Sequence, residues 1–138
     1  MPTTITAEKA YEQVASHAEK IKNDEHQTVE TCSPGDAWAQ GDLLLVCLDS
    51  LPKGCERIAK PDAQLAPGST QGSRHVLASS GVTQYRLADA TPLDGPILES
   101  TVPLTVTHPE HGDVTLPAGV WAVVYQRAYA DKLRRVQD

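Results

Sequence analysis

Two imidazoles three residues apart across a tight turn can aim at one point. His108-Pro109-Glu110-His111-Gly112-Asp113 places them in that way. His75, at the start of a separate extended stretch, would bring a third ring nitrogen, and Glu110 or Asp113 an oxygen. Three nitrogens and a carboxylate suit zinc, iron or manganese. A divalent metal is therefore the one cofactor these residues suggest, with His75, His108 and His111 as its ligands. The opposing reading is that Pro109 and Gly112 simply shape a turn with its histidines at the surface, since HxxH in such a turn is not a diagnostic spacing.

Other residues with chemical potential are fewer. Gly68-Ser69-Thr70-Gln71-Gly72-Ser73-Arg74 has the composition of a phosphate-cradling loop, but lacks the GK[ST] ending and a helix to follow it. Arg74, beside His75, could still bind a carboxylate or phosphate at the mouth of a β domain. The cysteines Cys32, Cys47 and Cys55 form no CxxC, and no GxSxG is present. Cys47 lies inside an apolar run, where burial makes a thiol inert. No nucleophilic triad is therefore expected. Arg127, Lys132, Arg134 and Arg135, interleaved with Tyr125 and Tyr129, are the one feature suited to stacking on bases and pairing phosphates. The plainer reading of that cluster is a solvated basic tail.

The elements that must position these residues are mostly short strands. Residues 6–23 are the exception. Ala7, Ala10, Tyr11, Val14, Ala18 and Ile21 recur at steps of three and four, which puts them on one helical face. Thr6 would cap the start, and Glu8 favours the helix dipole. Tyr11, Val14, Ala18 and Ile21 would face either the domain or a partner helix. Residues 24–39 are polar and read as a linker. From residue 40 the pattern becomes β. Leu43-Leu44-Leu45-Val46-Cys47-Leu48 reads as a central strand, with Cys55 to Ala59 as its hairpin partner. Further strands are expected at 74–78, 82–87, 97–107 (with Pro103 marking an edge or bulge), 114–116 and 120–126. Residues 88–96 read as loop. The expected fold is mainly β: a small barrel or sandwich of short antiparallel strands, with an N-terminal amphipathic helix. The expected organisation is a helical arm at 1–23, a linker at 24–39, a β domain at 40–127 and a basic tail at 128–138.

Bulk composition narrows the function classes. With 138 residues the chain is one domain in size and needs no disulfide or structural metal to fold. Phe is absent and aromatics are 4%, so Val, Leu, Ile and Ala must build the core around Trp38 and Trp121. A net charge of −6 works against broad attraction to nucleic acid or anionic lipid. No apolar run approaches the roughly 20 residues of a membrane span. The first residues lack the pattern of a signal peptide. With an odd number of irregularly spaced cysteines, the expected location is the cytoplasm.

Gln40-Gly41-Asp42-Leu43-Leu44-Leu45-Val46 resembles the opening of a small bacterial β-domain family of unknown function. The pieces similar to that family continue in Gly72-Ser73-Arg74-His75, His108-Pro109-Glu110-His111, Leu116-Pro117-Ala118-Gly119-Val120-Trp121 and Gln126-Arg127-Ala128-Tyr129. Together they span roughly residues 38–138. Where that family has a second histidine, position 73 is Ser here. The resemblance implies a compact β domain and no known activity. The Pro117-Ala118-Gly119 turn before a strand also looks cupin-like, without the cupin histidine motif. Three functional readings follow. The first is a non-catalytic binding or structural module that contacts a protein partner or another copy of itself. The second is a metal-binding, cupin-like protein or enzyme using His75, His108 and His111. The third is a nucleic-acid accessory protein using the C-terminal basic cluster.

Overall fold

A strand that is apolar at every position needs cover on both faces. Leu43–Leu48 is such a segment, and all six of its residues are buried. It lies near the centre of the fold. The computed structural model describes residues 26–126. The helical arm with Tyr11, Val14, Ala18 and Ile21, and the tail with Arg127, Lys132, Arg134 and Arg135, lie outside the described residues.

The described chain runs through ten strands: β1 (Gln27–Thr28), β2 (Ala37–Gln40), β3 (Leu43–Leu48), β4 (Glu56–Arg57), β5 (Val76–Leu77), β6 (Thr83–Arg86), β7 (Asp94–Ser100), β8 (Leu104–Thr107), β9 (Val114–Leu116) and β10 (Gly119–Tyr125). One three-residue 3-10 turn, Gln71–Ser73, is the helical element among them. The strands form two sheets. One has six strands in the order β2-β3-β10-β7-β6-β4, and the other has four in the order β1-β9-β8-β5. Neither closes into a barrel. The mainly β expectation therefore resolves to an open two-sheet arrangement.

Between the sheets lies the larger core. Leu43, Leu45 and Cys47 of β3, Leu98 of β7, and Trp121, Val123 and Tyr125 of β10 meet Leu104, Val106, Val114 and Leu116 of the smaller sheet. Trp38 meets Trp121 edge-on, with ring centroids 5.7 Å apart. Because successive side chains alternate across a strand, the intervening residues face the other way. Leu44, Val46, Leu48, Ile97, Ala122 and Val124 form a second cluster on the outer face of the six-stranded sheet.

Several local expectations are corrected. Glu56–Arg57 pairs with β6 and not with β3. Both edges of β3 are already taken by β2 and β10, and a polar, exposed dipeptide suits the sheet's edge. The expected linker supplies two strands, β1 and β2. β1 pairs with β9 in parallel, a departure from the all-antiparallel expectation. The expected loop 88–96 ends inside β7. There Val124 pairs with Asp94 and Ala122 with Ile97, so Gly95 and Pro96 together oppose Val123. That two-against-one bulge accommodates a residue with no N–H to donate. The stretch 97–107 divides at 101–103, where the chain crosses from the large sheet to the small one.

Candidate functional site

The three histidines singled out by spacing do come together. His75 follows the 3-10 turn just before β5, and His108 and His111 lie in the connection between β8 and β9. The rings of His75 and His108 have centroids 4.4 Å apart, and those of His108 and His111 4.7 Å apart. They form a tilted stack of three. Its outer end rests on Gly41: a methyl group there would lie 2.6 Å from His111 Nε2. Gly41 also has φ +57°, so the tight β2–β3 turn and the ring contact both require glycine.

Hydrogen bonds fix the rings. His108 Nδ1 accepts from the backbone N–H groups of Glu110 (3.0 Å) and His111 (3.2 Å). Its other nitrogen, Nε2, must then carry the proton, which it donates to the Gly72 carbonyl at 3.2 Å. At the inner end stands Gln40, 2% exposed. Its Nε2 donates to the carbonyls of Val106 and Gly112, each at 2.9 Å. Gln40 Oε1 is thereby the acceptor that faces His75 Nδ1 at 2.9 Å. These partners assign the tautomers of His75 and His108.

This environment makes His75 a poor base. Burial, reinforced by the charges His108 and His111 would carry, pulls it down from 6.5 to about 3, against a smaller pull from the Gly72 carbonyl. It is a neutral imidazole throughout the physiological range. His108 has no lone pair to offer a metal unless bonds that shape its own turn are broken. Among the described residues, no group of three or more His, Cys, Asp or Glu side chains is arranged to hold a metal ion. The sequence-predicted triad comes together as a stack of rings joining three segments: the β2–β3 turn, the loop before β5 and the β8–β9 connection. Arg74 is exposed beside it. The Gly68–Arg74 loop packs on itself, with Gly68 closing against Ser73 and its carbonyl accepting from Gln64 Nε2.

The cysteines lie elsewhere. Cys32 and Cys47 approach to 2.7 Å between sulfur atoms. Burial, then the hydrogen bond with Cys32, pushes the Cys47 thiol up to about 12, so it is not a thiolate nucleophile at neutral pH.

A second feature escapes sequence reading. A groove of about 670 Å³ lies between the 58–68 loop and the large sheet, where β6, β7 and β10 contribute to its lining. Lys60, Asp62 and Gln64 of the 58–68 loop, Gln84 and Arg86 of β6, and Tyr125 of β10 line it. The Tyr125 hydroxyl donates to the buried Leu65 carbonyl at 2.9 Å, holding the 58–68 loop over the sheet. Gln84 Nε2 donates to the Asp62 carbonyl at 2.8 Å. Asp62 Oδ1 accepts from the backbone N–H of Gln64, and Asp94 Oδ2 from the backbone N–H and the hydroxyl of Thr91. Lys60 and Arg86 are exposed, and neither forms an ion pair among the described residues. Lys60 and Arg86 stand 26 positions apart in strands and loops of unlike pattern, so nothing local in the sequence joins them.

No curated protein and no solved structure matches the chain significantly. One family does, and its limits follow the geometry described above. The match begins one residue before Gln40 and ends at Gln126. Gln126 closes on that same turn, its side chain donating to the Gly41 carbonyl and its backbone N–H to that of Asp42, each at 3.0 Å. With residues 39–126 matched, the chain belongs to the family described as a domain of unknown function, DUF8820.

Proposed function

We propose that this chain is a non-catalytic binding module. Its two-sheet domain is the scaffold, and its binding surface is the groove beside Lys60 and Arg86. The partner is a protein that presents an extended segment with an acidic side chain. The carrying observation is the pair of exposed cations, Lys60 and Arg86, that line one groove without ion-pair partners among the described residues. A guanidinium pairs a carboxylate through two parallel hydrogen bonds, which gives direction as well as affinity. Ile58, the residue that follows β4, lines the groove, and β4 is the edge strand of the large sheet, where an extended segment can be aligned by main-chain bonds. Supporting the non-catalytic reading, burial holds His75 as a neutral imidazole, and His108 is bonded through both of its ring nitrogens.

Binding of an acidic and a basic peptide library to the full chain tests this. Acidic peptides should bind, and Lys60→Glu with Arg86→Glu should weaken them at least tenfold while the melting temperature holds. Peptides that bind both forms equally would sink the groove as the site. Preference for free small carboxylates over peptides would replace the protein partner with a metabolite.

A further inference from the structure

The outer face of the six-stranded sheet poses a question of cover. Leu44 and Val46 are 0% exposed, Ile97 1% and Val124 2%, yet the smaller sheet lies on the opposite face. The described residues packed against this cluster are Ala37, Ala39, Tyr85 and Val120 of the same sheet, with Leu51, Leu87 and Leu93 from connections at its rim. None of these is a second layer. A sheet apolar on both faces folds only when both are covered.

We propose that residues 6–23 of the same chain form that layer, as a helix laid on the outer face with Tyr11, Val14, Ala18 and Ile21 turned toward the sheet. The dimensions match. Eighteen helical residues are about 27 Å long, and six strands spaced about 4.8 Å apart are about 24 Å wide. The composition matches too. The stripe is apolar at Ala7, Ala10, Tyr11, Val14, Ala18 and Ile21, and the opposite face carries Glu12, Glu19, Lys20 and Lys22 for solvent. Small residues at three of the six stripe positions allow close approach to a leucine- and valine-rich sheet. The point of departure also fits. The described chain begins at His26, and Gln27 Nε2 donates to the Ala39 carbonyl of β2, the edge strand the chain must round to reach the outer face. The other segment long enough to compete, residues 127–138, is a poorer cover. Four of its twelve residues are Arg127, Lys132, Arg134 and Arg135, and a helix of that length spans only about 18 Å.

The proposal is independent of the groove. Hydroxyl-radical footprinting of the full wild-type chain, with its mass measured by light scattering, tests it. The expected result is a monomer in which Tyr11, Val14 and Ile21 oxidise at least tenfold more slowly than in a free peptide of residues 1–25. Val14→Glu with Ile21→Glu should then raise oxidation of Leu44, Val46 and Val124 while Leu45 and Trp121 of the inner core stay protected. If that variant unfolds altogether, the wild-type footprint alone decides. Arm residues that oxidise like the free peptide overturn the proposal. So does a dimer whose arm protection is lost on dilution, which would place the cover in a second copy. Opening of the outer face by Leu133→Glu with Val136→Glu, and not by the arm variant, would assign the cover to the tail and overturn it as well.

Discussion

Gln40 shows how much one buried amide can organise. Both of its N–H groups and its oxygen are used, linking β2 to β8, to the β8–β9 connection and to His75. Gln40→Leu would strand two carbonyls and an imidazole N–H, and each stranded buried group costs about 1–3 kcal/mol. Gln40→Glu should be worse at neutral pH, because a carboxylate cannot donate to the carbonyls of Val106 and Gly112. Urea titration of the two variants should show Glu below Leu, with the gap narrowing in acid as the carboxyl protonates. His75 gives a second expectation. Its folded value lies near 3, against 6.5 when free, so below 6.5 the unfolded chain takes up a proton that the folded chain refuses. Stability is complete above pH 6.5 and falls as the pH drops toward 3. At about 1.4 kcal/mol per unit, the loss reaches about 3 kcal/mol by pH 4. His75→Asn should flatten this dependence between pH 4 and 6.5 at some cost at pH 7, which stability curves at stepped pH would read directly. A slope unchanged in the variant would assign the acid sensitivity to other groups.

At the scale of elements, the bulge in β7 is the device that shapes the groove. Gly95 sits where a methyl group would lie 2.8 Å from Val123 Cγ1, 3.0 Å from the Val123 carbonyl and 3.1 Å from the Tyr125 ring. Backbone and a hydrogen-bonded ring cannot both retreat. Gly95→Ala should therefore cost about 1–3 kcal/mol, as overpacking does, and loosen the bond between Tyr125 and Leu65. Thermal melts would register the first effect, and faster amide exchange in residues 58–66 the second. Exchange confined to β7 would mean that the loop is held by something other than Tyr125. The bulge has a partial signal in the sequence, because Pro96 beside Gly95 disfavours a regular strand. Its consequence was hidden, because the residues it accommodates are almost thirty positions downstream. The same limit applies to the 24–39 stretch, where β1 is the polar pair Gln27–Thr28 and β2 is short, with Gly35 and Gly41 close on either side. Their strand character comes from pairing with β9 and β3, a tertiary override of weak local preference.

Over the whole molecule, stability should be graded from the centre of the large sheet outward. β3 and β10 share a six-residue antiparallel register and are apolar on both faces. Amides at 44–48 and 120–124 should exchange slowest, near the global unfolding limit, and those of the two-residue strands β1, β4 and β5 at least tenfold faster. Slowest exchange in the four-stranded sheet would invert this order. The sequence by itself determined the class and the main strands. Apolar runs at 43–48, 114–116 and 120–125 and the turn residues between them specify strands through local pattern alone. It also marked the three histidines, whose spacing and type are local facts. Only the tertiary structure decided how those histidines are placed. Their burial and hydrogen-bond partners depend on Gln40 and Gly41 of the β2–β3 turn and on Gly72 before β5, two segments far apart in the sequence that meet at the stack. It alone decided the sheet order and the groove as well, because strand pairing and the meeting of Lys60, Arg86 and Tyr125 are long-range events that a one-dimensional pattern does not encode.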